Sequence, residues 1–66
     1  MDKDLFEYEM KRLGYKTPTM RAKALGWSLS AYYRRVSNEV ECSKGEIDKV
    51  GEVLGKEVAR RIFFGY

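Results

Sequence analysis

The chain contains no histidine, and cysteine, proline and tryptophan occur once each. Without histidine, no side chain titrates near neutrality unless its surroundings shift it, and the commonest transition-metal ligand is missing. The lone Cys42 cannot close an internal disulfide, which fits a reducing compartment. No apolar run approaches the roughly 20 residues that cross a bilayer. The opening MDKDLFEYEM mixes acids with polar and apolar residues and does not read as a signal peptide. The expected setting is therefore cytoplasmic, with no metal, no cofactor and no membrane. Runs of β-branched residues and period-two alternation are also scarce, which leaves an all-α chain.

What is present supports a small folded unit. At 66 residues, 44% hydrophobic and 35% charged, the chain reads as one globular domain spanning 1–66. A chain of this length buries only about 60% of its unfolded surface, so its core must be well packed or shared with a partner.

Charge is unevenly distributed. Residues 1–16 are neutral, while residues 17–37 carry Arg21, Lys23, Arg34 and Arg35 with no acid. Residues 38–55 are net acidic through Glu39, Glu41, Glu46, Asp48 and Glu52, and residues 56–66 are again basic. The spacing of those acids matches no cation-binding loop, so they read as a solvated face. A local cationic excess attracts phosphate more effectively than overall charge does.

The helix signals are ordered. Helix 1 is expected from about Asp4 to Leu13, with Phe6, Met10 and Leu13 on its inner face and Gly14 as its stop. Thr17 and Pro18 suit the cap and first turn of helix 2, which ends at Leu25-Gly26. Its expected inner face is Met20, Ala24 and Leu25, with Arg21 facing solvent or a ligand and small Ala22 allowing helix 3 to approach. Gly26 reverses the chain and Ser28 caps helix 3, expected over 29–36 with Tyr32 and Val36 inward. Asn38, tolerant of left-handed backbone, ends it. Ser43-Lys44-Gly45-Glu46 is a capping-box pattern for helix 4, whose buried stripe is Ile47, Val50, Gly51 and Leu54. Gly51 is an opening for close helix packing. Helix 5 covers about Lys56 to Phe64.

Two helices joined by a glycine turn, the second presenting Leu29, Ser30, Tyr33 and Arg34, have the layout of a DNA-binding helix-turn-helix. The strings Ala24-Leu25-Gly26-Trp27-Ser28, Tyr32-Tyr33-Arg34-Arg35-Val36-Ser37-Asn38, Glu41-Cys42-Ser43, Glu46-Ile47, Val53-Leu54-Gly55 and Ile62-Phe63-Phe64 together resemble small phage-type Cro-like and repressor-like (XRE-family) regulators. The resemblance covers nearly the whole chain, and its specificity lies in the order and spacing of strings that are individually weak. It implies a lambda-repressor-like bundle of five helices and a transcriptional regulator of phage or prophage origin. It also implies base or near-base contacts from Ser28, Leu29, Ser30, Tyr33 and Arg34, and phosphate contacts from Thr17, Thr19 and the turn at Asn38. Arg21 and Lys23 are added as phosphate contacts on charge, and Arg35 as a phosphate contact or a surface ion pair. Three positions depart from the family pattern. Pro18 and Thr19 replace a common glutamine, Arg21 replaces an aliphatic residue, and Cys42 replaces an aromatic.

Other residues have more ordinary readings. Tyr32 and Trp27 are expected in or over the core, and Cys42 as a small buried hydrophobe. Phe63, Phe64 and Tyr66 exceed what one short helix can bury, which points to a homodimer face. The expected partners are thus a double-stranded DNA operator and a second copy, with no small-molecule substrate. A rival reading keeps the fold but assigns it to protein contacts, as in an antirepressor or phage assembly adaptor. An enzyme is disfavoured because no catalytic set and no Gly-rich phosphate loop is visible.

Overall fold

Four of the five helices begin at a side chain that accepts from a free amide of the first turn. The computed structural model describes residues Met1–Tyr66 as α1 (Lys3–Arg12), α2 (Pro18–Leu25), α3 (Leu29–Val36), α4 (Lys44–Leu54) and α5 (Lys56–Phe64), with no strands. Asp2, Thr17, Ser28 and Ser43 accept from the amides of Leu5, Met20, Ala31 and Glu46. Each cap satisfies a donor that the helix itself leaves free. At Ser43 the box is reciprocal, because the Glu46 carboxylate accepts from the Ser43 amide at 2.8 Å. The third helix spans the residues expected of it, and α1 starts and ends one residue earlier than expected.

The core joins all five helices. Phe6 and Met10 from α1, Ala22 and Leu25 from α2, and Tyr32 and Val36 from α3 meet Val50, Leu54, Ala59 and Ile62 from α4 and α5. The Phe6 and Tyr32 rings pack at 6.1 Å between centroids. The molecule measures 27 × 25 × 19 Å.

Four residues depart from their expected burial. Leu13 is the C-cap of α1 and lies exposed, because the helix ends before it can turn inward. Met20 is also exposed, while Arg21 is buried with Ala22 and Leu25. The buried stripe of α2 is therefore rotated by about one residue from the expected Met20, Ala24 and Leu25. Cys42 is only half-buried, since the turn holding it runs along the surface.

Two glycines behave oppositely. Gly26 has φ +72°, a left-handed geometry that closes α2. Trp27 donates its amide to the Ala22 carbonyl at 2.9 Å, six-residue closure of the Schellman type. An L side chain in that conformation costs about 1–2 kcal/mol. Gly51 lies inside α4 with ordinary backbone, and a Cβ there would meet the Ala59 Cβ at 3.8 Å. That is ordinary contact, so close packing does not demand glycine at this position. Gly51→Ala is therefore expected to stabilise the fold by about 0.5–1 kcal/mol. Gly26→Ala is expected to destabilise it by about 1–2 kcal/mol. Denaturant titration of the two variants checks both signs.

Candidate nucleic-acid interface

The outward side of α3 follows from which of its residues the core claims. Tyr32 and Val36, four apart, are buried. Leu29, Ser30, Tyr33 and Arg34 are exposed; Ser30 and Arg34 lie away from the buried pair, while Leu29 and Tyr33 flank it at the helix start and middle. Leu29 is 42% and Tyr33 54% exposed, high values for such apolar surface. The Tyr33 ring meets Tyr32 edge-on at 5.7 Å between centroids, which gives it a fixed base. Arg34 forms no ion pair. Ser28 is exposed at the start of the helix, and its Oγ accepts from the Ala31 amide at 3.1 Å. A hydroxyl oxygen used in that way still has its proton to donate.

The phosphate candidates divide sharply. Thr17, Thr19 and Lys23 are exposed, and Lys23 forms no ion pair. Thr17 is occupied in part as the cap of α2, its Oγ1 accepting from the Met20 amide at 3.2 Å.

Arg21 is not at the surface. Its side chain is 3% exposed. Nε donates to the Tyr15 carbonyl at 2.9 Å, Nη2 to the Lys16 carbonyl at 3.2 Å and Nη1 to the Tyr32 hydroxyl at 3.3 Å. The Glu7 carboxylate lies 3.7 Å from Nη1. Burial of a guanidinium requires such partners, since an unpaired buried charge is prohibitively costly. The expected phosphate contact is therefore replaced by a tie between α1, the loop before α2, and α3.

Arg35 is also engaged within the molecule. Its Nε donates to Glu46 Oε2 at 2.7 Å and its Nη1 to the Ala31 carbonyl at 3.1 Å. The guanidinium lies over the Trp27 ring, 5.6 Å from its centroid. Trp27 is half-buried against the core, a lid over the turn. The Ser43 amide, with help from Arg35, holds the Glu46 carboxyl below the usual carboxylate range. Residues Trp27, Arg35, Glu46 and Ser43 thus link the turn before α3 to the start of α4. Arg35 and Glu46 are eleven residues apart, and no local spacing rule in the sequence pairs them.

Asn38 has φ +64°, the left-handed conformation expected after α3. Its side chain accepts from the Met1 amine and donates to the Met1 carbonyl at 3.2 Å. This fixes the turn after α3 against the start of the chain.

The aromatic tail sits elsewhere. Phe63 is half-buried against the core, while Phe64 is 57% and Tyr66 79% exposed. Phe63 and Phe64 line an open groove of about 330 Å³ together with Val40, Cys42 and Ile47. Burial, reinforced by the Glu46 charge, pushes the Cys42 thiol up from its ordinary value. A thiol held in that way is a weaker nucleophile near neutral pH. No group of three or more His, Cys, Asp or Glu side chains is placed to hold a metal ion, and no helix is long and apolar enough to cross a membrane.

Comparison with protein-family models, with curated proteins and with solved structures gives no match for this chain.

Proposed function

We propose that this chain is a sequence-specific DNA-binding regulator that reads the major groove with α3. The observation that carries the reading is the exposed surface of that helix. Leu29, Ser30, Tyr33 and an unpaired Arg34 stand together on it, within a 21-residue stretch that holds no acidic residue. The turn at Gly26 and the cap at Ser28 present this side as a free helix surface, and the resemblance to small Cro-like and repressor-like regulators supports the same assignment.

Mechanism follows from binding alone. Lys23 and Arg34 displace counterions from phosphates or read base edges, and Thr17, Thr19 and Ser28 offer hydroxyl donors. Occupancy of an operator then excludes other proteins from the same duplex. The exposed Phe64 and Tyr66, with the groove beside Phe63, supply a face for a second copy. A two-fold dimer reads half-sites spaced by about one helical turn. The exposed aromatics Phe64 and Tyr66 beside this groove are what favour the second reading, a protein-interaction module of the same shape without specific DNA binding.

Salt dependence separates strong from weak versions of the proposal. The basic segment 17–37, read from charge alone, suggests about four to six phosphates neutralised per protomer and a steep fall in affinity with salt. With Arg21 buried and Arg35 paired to Glu46, two cations of that stretch remain free. With both on phosphates, four contacts per dimer give a log–log salt slope of roughly −3.6, and with Arg34 on a base the slope falls to roughly −1.8. Fluorescence anisotropy across a salt series measures it. A slope twice as steep would mean that further cations reach phosphate, either exposed ones such as Lys16 or Arg21 and Arg35 released from their internal partners.

The deciding experiment is selection of bound duplexes from a random library near physiological salt. An enriched palindrome supports a dimeric, sequence-specific regulator. Absence of any binding moves the assignment to the protein-interaction module.

A further inference from the structure

The groove beside Phe63 has apolar walls and a polar part. Val40, Ile47, Phe63 and Phe64 line it together with Arg35 and Glu41. Arg35 uses Nε and Nη1 on Glu46 and Ala31, which leaves Nη2 to donate elsewhere. At about 330 Å³ the groove matches the small end of ligand pockets, roughly 300 Å³, and takes one aromatic side chain. An incoming helix, roughly 10–12 Å across, exceeds it. Tyrosine suits such a lining, because its ring is apolar and its buried hydroxyl needs a polar partner. Tyr66 is 79% exposed, just beyond the left-handed Gly65 that closes α5.

Charge of both signs lies at the same place. Glu41, in the groove lining, is exposed and forms no ion pair. Arg60 is likewise exposed and unpaired. It precedes Phe63 and Phe64 by three and four residues, and so shares their side of α5. A two-fold contact sets one patch against its own copy, so the patch must hold a projection with a recess and a cation with an anion. Tyr66 and the groove supply the first pair, Arg60 and Glu41 the second. We infer that a second copy of this chain fills the groove with its Tyr66 and sets its Arg60 against Glu41, reciprocally across a two-fold axis. The inference rests on the proposed second-copy face and specifies its contacts, and it is independent of the DNA reading.

Sedimentation equilibrium of the intact protein without DNA tests it. The native chain is expected to dimerise with rising concentration. Tyr66→Ala trims an exposed side chain and keeps the native melt, while its dimer Kd rises about 30-fold or more, as for a buried aromatic anchor. Glu41→Arg and Arg60→Glu each set like charges together twice in their own dimers, and each is expected to associate about tenfold more weakly. Mixed in equal amounts, the two variants regain both opposite-charge contacts and form a heterodimer of about native affinity. A Tyr66→Ala dimer as tight as the native one overturns the insertion. A mixture that associates no better than either variant alone overturns the Arg60–Glu41 contact. Either result leaves the second-copy reading in place with a different face. A native chain that stays monomeric at millimolar concentration overturns the inference and the second-copy reading together.

Discussion

Replacing Arg21 by methionine is expected to cost about 3–5 kcal/mol, because three acceptors lose their donor at about 1–3 kcal/mol for each one left buried and unsatisfied. Methionine keeps much of the volume but no donor. The Tyr15 and Lys16 carbonyls and the buried Tyr32 hydroxyl then lose a partner together, and Glu7 loses its counter-charge. Lysine is a poor rescue, because one ammonium cannot reproduce a planar fork that serves acceptors in three directions. A chain of this length has a total stability of about 3–10 kcal/mol. The variant is therefore expected to be largely unfolded or to melt more than 10 °C lower, as about 1 kcal/mol shifts a small domain by 4–8 °C. Thermal melts followed by circular dichroism check it, and Glu7→Gln, which retains an acceptor, is expected to be milder. A native melting temperature for Arg21→Met, combined with weaker DNA binding and a shallower salt slope, would place Arg21 on phosphate after all.

Arg34→Ala is expected to do the reverse, leaving the fold alone and removing affinity. The side chain is exposed and unpaired, so its truncation falls within about 0.5 kcal/mol in stability. A base-reading arginine contributes about 1–3 kcal/mol of discrimination per site. Counted over two half-sites, that is a loss of roughly 30-fold or more in operator affinity. Tyr33→Ala is a less clean probe, because the ring packs edge-on against Tyr32. Some of its effect is then stability, about 0.5–1.5 kcal/mol for an aromatic pair. Anisotropy titration of Arg34→Ala against the selected operator and against a scrambled duplex gives the answer. Equal affinity of variant and native protein for the operator would remove α3 as the reading helix.

Arg35 shows why neighbouring arginines do not share a role. Arg34 projects from the outer side of α3, whereas Arg35 lies one position further around and meets Glu46, Ala31 and Trp27. A difference of about 100° around one helix separates a free cation from an internal clamp. Charge counted along the chain treats the two alike.

The sequence by itself determined the elements. Caps at Thr17, Ser28 and Ser43, the left-handed stops at Gly26 and Asn38, and the apolar spacing of α1 and α4 all act within a few residues, and local chemistry is enough to read them. The outward placement of Ser30 and Arg34 followed from the inward pair Tyr32 and Val36 by helical period, whereas Leu29 shares that pair's i, i+3, i+7 stripe and is exposed because the core does not reach the start of α3. Only the tertiary structure decided the fate of individual charges and the rotation of α2. Arg21 occupies a place that the helical reading gave to solvent or DNA, although the family pattern sets an aliphatic residue there, because Tyr15, Lys16, Glu7 and Tyr32 converge on it from other elements. A buried charge is tolerated only where several acceptors meet, and such meetings depend on contacts distant in the chain. The same reason hides the Arg35–Glu46 pair and the groove beside Phe63, whose walls come from separate stretches of the sequence.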